Sequence, residues 1–383
     1  MLIKYILYSI SLIFICLFVF IKIKFRFWSS QPVFHLYNLY YWINPVGLLE
    51  RKIPKKSTKY YDVTIETQKY TQLNTEKKEL LFGLVKTNFL HNPIAQYQPT
   101  KKDIFNYFIL HERACHISFN YIYQNRSKKL ISCMTSRPLD CILYNRKVKV
   151  GYVDFLCVKK ENRKQGNAQK TIHSHYINAR SMNSEKIFLF KREGSINFMV
   201  PLVVYNAYAF NIKKYDTINH NIPNNIMCTI ITDGNYKLLF HYFTEIKKKF
   251  KCFITPNLNH IKSQIQNNLL YVCMIFDNKT PVGCYFFKNP HTLYNKKKSL
   301  ECFASSYSEN YKEIFTASFQ NCVYLIRQKY LFEILLIENL SDNNLLIKEI
   351  KRKCSTIWKV TMAYYFYNFI YRPFVSKNVF LLN

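Results

Sequence analysis

The chain has 383 residues, 49% of them hydrophobic, and a formal net charge of +32. That apolar content is ample for packed cores and excludes a mainly disordered chain, while the length suits two domains of ordinary size. The basic runs are short and scattered, without zinc-finger spacing, a basic helix or an aromatic RNA-binding signature, so specific nucleic-acid binding is not expected and an anionic membrane face is the better partner for the charge. The 12 cysteines fall singly, with no C-x-x-C and no His/Cys cluster at zinc spacing. They read as small buried hydrophobes in a reducing compartment, and no metal site is expected.

Residues 5–21, YILYSISLIFICLFVFI, hold no charge over seventeen positions, and Lys22, Lys24 and Arg26 follow. This is near the lower limit for a spanning helix, and the cations on its C-terminal side place an anchor at residues 1–25 with the body of the protein in the cytoplasm. A cleaved signal or a buried core helix is the alternative. A lumenal body would expose the sequons at Asn125, Asn278 and Asn339 to glycosylation. Next comes Phe27-Trp28-Ser29-Ser30-Gln31-Pro32-Val33, in which an interfacial aromatic belt explains the first two residues but not the last three.

Residues 79–89 and, after the Pro99 break, 103–110 read as helices; residues 129–138, 140–144 and 148–158 read as strands. The stretch 150–172 runs strand, charged loop with one glycine, helix, a layout that presents backbone N–H groups to an anion. In its loop, Gly166 permits close approach to a phosphate, Arg163 and Lys164 supply charge, and small Ala168 lets the helix begin next to the ligand. The helix continues to residue 180, a short strand follows at 187–190, and polar residues 211–226 form a connection. The second half then echoes the first, with a helix at 236–250 and strands at 270–276, 282–287 and 300–307.

Four of these segments resemble N-myristoyltransferases. Residues 27–33 are similar to the FW-x-T-Q-P-V segment that opens that family's folded core, and Phe155-Leu156-Cys157-Val158 to the end of its E-I-N-F-L-C-V strand. Arg163-x-x-Gly166-x-Ala168 resembles the R/Q-x-x-G-x-G/A loop of the wider GCN5-related acyltransferase superfamily, and Tyr364-Tyr365-Phe366-Tyr367-Asn368-Phe369 resembles Y-Y-L-Y-N-W near the family's C-terminus. The resemblance implies an α+β fold of two tandem acyltransferase-like halves related by a pseudo-twofold. Residues 26–210 would bind acyl-CoA, residues 227–383 would line the peptide groove, and the anchor helix would precede both. It further implies myristoyl-CoA as acyl donor, no metal, and N-terminal glycine peptides as acceptors.

On the same resemblance, Arg26, Phe27, Trp28, Phe155, Leu156, Cys157, Val158, Arg163, Lys164, Gly166, Asn167 and Ala168 would contact CoA. The amides of Phe155 and Leu156 would form an oxyanion hole, and the α-carboxylate of Asn383 would be the base that deprotonates the glycine ammonium. Tyr97, Tyr205, Tyr208, Tyr285 and Lys359 would face the peptide. Departures concentrate on that peptide side. Tyr208-Ala209 stands where the family has Trp-His, Lys359 where it has an aspartate, and residues 91–94, HNPI, where it has an acidic loop. A changed peptide preference or weakened activity is expected; the alternative is a membrane-tethered module that binds acyl-CoA or peptide without catalysis.

Overall fold

The computed structural model describes residues 2–124, 127–194, 198–212, 215 and 217–383. Asn125 and Arg126 of the first sequon, and residues 213, 214 and 216 of the expected connection, lie outside the described residues. Helix α1 (Leu2–Lys24) carries the apolar run, with its side chains almost all exposed. Among the described residues it is the one helix long and apolar enough to cross a membrane, with a mean hydropathy of 2.6.

The first half comprises β1 (Glu66–Lys69), α2 (Thr75–Asn88), β2 (Ala95–Tyr97), α3 (Lys101–Phe105), β3 (His116–Gln124), β4 (Ser127–Leu143), β5 (Arg146–Val158), α4 (Asn167–Ser181) and β6 (Ile187–Glu193). Helices α2 and α3 start where polar caps satisfy free amides: the Asn74 side chain accepts from Lys77 N–H, and Thr100 and Asp103 form a capping box. The two strands expected at 129–138 and 140–144 are one strand, β4. Pro138 is tolerated there because the same edge of β4 pairs with β3 up to Ser136 and with another strand only from Asp140.

After β7 (Val203–Asn211), the second half comprises β8 (Ile226–Ile230), α5 (Tyr236–Lys249), β9 (Cys252–Thr255), α6 (Leu258–Gln266), β10 (Leu270–Asp277), β11 (Thr280–Lys288), β12 (Thr292–Tyr294), β13 (Lys297–Tyr307), α7 (Lys312–Arg327), β14 (Ile334–Glu338), α8 (Asn343–Lys353), β15 (Thr356–Tyr367) and β16 (Val379–Leu381). Helix α7 buries Phe315, Phe319, Cys322, Val323 and Ile326, the spacing of one helical face. Each such side chain contributes roughly 1.5–3 kcal/mol of burial.

The pairing makes the internal repeat explicit. Strands β1, β3, β4 and β5 are successively antiparallel and β6 is parallel to β5; β8, β10, β11 and β13 are successively antiparallel and β14 is parallel to β13. The halves then exchange strands. β7, from the end of the first, pairs with β14, whereas β15, from the end of the second, pairs with β6 and β7. Two short arms also cross: β2 adds to β12, and β9 adds to β4 and in turn carries β16. The sixteen strands named here therefore belong to one sheet, with a separate two-stranded pair at residues 47–48 and 369–370, and residues 203–210, expected in the first domain, are hydrogen-bonded to the second half. None of the 12 cysteines is in a disulfide, and most are buried in the cores.

Candidate active site

Strands β5 and β6 pair at only three positions, Val150 with Ile187, Gly151 with Phe188 and Tyr152 with Leu189, and then part. Gly151 permits this approach, since a Cβ there would lie 2.9 Å from the Phe188 ring. Beyond the last pair lies a cavity of ≈ 1260 Å³ whose walls include Trp28, Tyr97, Phe155, Leu156, Phe190, Lys359 and Asn383. That exceeds the usual size of a pocket for one small ligand.

Where β5 ends, the chain turns through Lys164 (φ 62°) and Gly166 (φ 79°) before α4 begins at Asn167, and no side chain caps the first amides of that helix. Those amides and the positive helix end form an anion cradle. Arg163 donates from Nε to the Val158 carbonyl (3.2 Å) and from Nη2 to the Asn88 carbonyl (2.8 Å), pinning the loop to the ends of β5 and α2. A depression of ≈ 450 Å³ is walled by Leu156, Cys157, Val158, Arg163, Lys164, Gly166, Asn167 and Ala168. Across Gly166 lies another of ≈ 520 Å³, walled by Arg26, Phe27, Trp28, Lys59 and Lys170. The twelve residues assigned to CoA by resemblance thus surround three adjoining spaces. Trp28 stacks on Phe190 at 5.5 Å, which fixes the aromatic pair over the cavity. Cys157 is no nucleophile: burial pushes its thiol up to about 12.

The β4–β5 ladder shifts register between Met134 and Ser136, so that Asp154 and Phe155 together oppose Thr135. This bulge lies at the expected oxyanion strand. The Phe155 amide donates to Thr135 Oγ1 at 3.1 Å, and Asp154 holds buried Arg137 through two contacts of 2.9 and 3.0 Å. Arg137 keeps its charge because, although burial opposes it, Asp154 outweighs the burial.

A feature that the sequence reading missed surrounds Asn383. Lys191 from β6 is bonded to Glu338 at the end of β14 and lies 3.9 Å from Glu301 of β13; Lys288 of β11 lies 3.7 Å from Glu301 and donates to Asn383 Oδ1 at 3.3 Å. Tyr205 donates its hydroxyl to Glu338 (3.0 Å) and stacks on Tyr364, while Asn383 Nδ2 donates to the hydroxyls of Tyr364 (3.1 Å) and Tyr152 (2.6 Å). The groups form a closed polar ring, of which Lys191, Lys288, Glu301, Glu338, Tyr152 and Asn383 line the cavity and Tyr205 and Tyr364 lie behind them. Burial lowers the Lys288 pKa, helped by the Lys191 charge; burial also disfavours charge on Lys191, but Glu338 and Glu301 more than restore it. Burial raises Glu338, whereas the two lysines overcome burial and hold Glu301 below the ordinary carboxylate range. The available signal was a charge closing or interrupting an apolar strand, as in FLFK, YFFK, LECF and LLIE. Arg137 adds an Nη2 with no hydrogen-bond partner among the described residues, and it lines a small cavity with Lys288, Leu382 and Asn383.

The peptide-facing residues divide. Tyr97 and Lys359 line the large cavity, Tyr97 buried and Lys359 exposed. Tyr205 lies behind the wall, bonded to Glu338. Tyr208 and Tyr285 need correction: both belong to the core under α7 and α8, and the Tyr285 hydroxyl is bonded to the Phe315 carbonyl of α7. The cause is strand parity, which turns Tyr208 and Tyr285 inward while Ala207 and Lys288 face the cavity. Among the described residues there is no cluster of three or more His, Cys, Asp or Glu that could hold a metal ion.

No protein-family model and no curated protein matches the sequence. Solved structures do match. Saccharomyces cerevisiae N-myristoyltransferase with bound myristoyl-CoA superposes with a TM-score of 0.72 at 12% identity, covering 94% of this chain and 99% of that one. A second structure of the yeast enzyme with myristoyl-CoA gives 0.72 at 11% identity over 93% and 94% of the two chains, and one with inhibitors also bound gives 0.68 at 11% over 91% of each. Across nearly its whole length, the chain therefore has the α+β, doubled acyltransferase-like fold of N-myristoyltransferase.

Proposed function

We propose that this protein transfers a myristoyl group from acyl-CoA to the N-terminal glycine of protein substrates. The observation that carries this reading is convergence: the space at the Gly166 loop, the space under Phe27 and Trp28, and the large cavity share walls, and the last of them reaches Asn383. The CoA pyrophosphate would sit on the first amides of α4 beside Lys164, and the acyl chain along the apolar wall. The α-carboxylate of Asn383 takes a proton from the glycine ammonium, whose pKa is about 8. The freed amine attacks the thioester carbonyl, whose oxygen is held by the Leu156 amide and by the Phe155 amide once Thr135 yields it. A C–N bond forms, the C–S bond breaks, and the extra proton on the attacking nitrogen leaves with the CoA thiolate, which departs as the thiol. Arg137 and Lys288 line the small cavity beside Asn383, where their charges would favour a carboxylate.

The test is to incubate the full chain with myristoyl-CoA and a library of glycine-initiated peptides, reading acylation at the glycine nitrogen by mass spectrometry. Acylated peptides are expected. Tight acyl-CoA binding with no acylated peptide would replace this reading with a second one, a binding module. The engaged Phe155 amide and the exchange of an acid for Lys359 favour that second reading. In both readings α1 anchors the chain in a membrane with the body on the cytoplasmic side; glycan addition at Asn278 or Asn339 would reverse that orientation.

A further inference from the structure

Immediately after the anchor and the Phe27-Trp28 pair, the chain shows an apolar face with no protein cover. Leu36, Leu39, Tyr40, Trp42, Ile43 and Val46 are all exposed, with Leu39 at 73%, Tyr40 at 62% and Ile43 at 80%. A run of this kind marks a contact surface more often than a solvated loop. It is also held in place. The Leu36 amide donates to the Phe198 carbonyl (2.8 Å), Phe198 packs on Phe25 at 4.6 Å, and Trp42 Nε1 donates to the Leu36 carbonyl (3.3 Å).

Its place relative to α1 identifies the occupant. Tyr37 meets Phe18 of α1 edge-on at 5.3 Å. Phe18 precedes Lys22, the first cation after the apolar run, by one turn, about 6 Å along the helix. A bilayer that covers the apolar run of α1 as far as Lys22 therefore also reaches the level of Tyr37 and its neighbours. Tyr and Trp, here Tyr40 and Trp42, are the side chains favoured at the boundary between headgroups and acyl chains. The chain then continues into exposed Arg51, Lys52, Lys55 and Lys56, whose charge suits anionic headgroups.

We infer that residues 36–46 are a second membrane contact, seated in the interface of an anionic bilayer beside the spanning helix and fixing the tilt of the body on the membrane. The inference rests on the reading of α1 as a membrane anchor. It brings the space lined by Arg26, Phe27 and Trp28 next to the headgroups, where an acyl-CoA inserted by its chain would be concentrated.

The full chain reconstituted in phosphatidylcholine–phosphatidylglycerol vesicles tests this through tryptophan quenching by phospholipids brominated on the acyl chain. The protein has 3 tryptophans, and the other two, Trp28 and Trp358, line the central cavity. Strong quenching is expected in the wild type, with nearly all of the quenched component lost in Trp42→Phe. In Leu39→Asn/Ile43→Asn, whose exposed positions leave folding intact, the remaining Trp42 is expected to be quenched less. Equal quenching in wild type and Trp42→Phe overturns the inference. Alkaline carbonate separates the two ways of failing: a retained protein with unquenched Trp42 rejects the interfacial segment alone, whereas a released protein rejects the anchor together with it.

Discussion

The two halves share a topology and differ at one comparable place. In the first, β5 and β6 part and the opening stays empty of protein, becoming the central cavity. In the second, β13 and β14 pair from Ser299 to Cys302, but the parting is stitched shut: Ser341 Oγ accepts from the Ser305 amide (2.9 Å) and Asp342 Oδ2 from the Tyr307 amide (3.2 Å). The loops diverge in the same sense. Residues 159–166 join β5 to α4 with three lysines, an arginine and a left-handed glycine, whereas residues 308–311 join β13 to α7 with no glycine and with Glu309. A helix start is an anion site only where the loop lets a phosphate reach it. A doubled fold can therefore carry a single cofactor site.

Four experiments would break or sharpen this contrast. The largest effect is expected from adding residues after Asn383: turnover should fall by roughly 10²–10⁴-fold, the contribution of a general base, while acyl-CoA binding by the first half, followed calorimetrically, is unchanged. Unimpaired turnover would reject the carboxylate base.

Acid should next loosen the packing within and between halves. His111 and His260 stack across the halves at 3.9 Å, and His175 lies between Ser118 and Ser136. Burial lowers His111 and His175 to about 3 and His260 well below its ordinary value. Each is neutral when folded and takes a proton near pH 6.5 when unfolded. Their stabilisation is thus complete above that pH and lost as pH falls from about 6.5 toward the folded values. Between pH 7.5 and 5.5 the three should cost about 4 kcal/mol together, visible as a drop in the denaturation midpoint. A flat midpoint would contradict neutral, buried rings.

Gly166→Val places a branched residue at a positive φ and should cost ~1–2 kcal/mol, about five- to thirtyfold in acyl-CoA affinity if the strain falls on the bound loop. Glu309→Lys at the matching loop should leave that affinity unchanged. The smallest change is expected from Lys359→Asp at the exposed mouth. Restoring an acid there should favour lysine-bearing over acidic glycine peptides by ~0.2–1 kcal/mol, up to about fivefold in kcat/KM, in a competition assay.

The strand, loop and helix start proposed to hold acyl-CoA were visible in the sequence because they are contiguous. Phe155 to Ala168 is one strand, one loop and one helix start, and local chemistry alone orders them. The ring of Lys191, Lys288, Glu301 and Glu338 was not: β11, β13 and β14 meet within the second half, but Lys191 of β6 reaches them only because the halves exchange β7 and β15. Tyr285 and Lys288 show the finer limit. They are three positions apart on one strand and so face opposite sides, and which side is core and which is cavity is decided by what packs on each face, not by the strand's own letters. Strand β4 was expected as two because Pro138 reads as a breaker until its unpaired edge is known.

The crossed arms also bear on how the molecule is made. β9 completes the edge of the first half and β16 lies on β9, so the first half leaves the ribosome with a sheet edge that only later residues can cover. Pairings this distant in sequence are slow to form and leave sticky edges exposed meanwhile. Truncated or stalled chains should accordingly be insoluble and lack the cavity wall at Asn383, since β16, which covers the outer edge of β9, leads directly into Asn383. Covering that edge and placing Asn383 at the cavity become a single event.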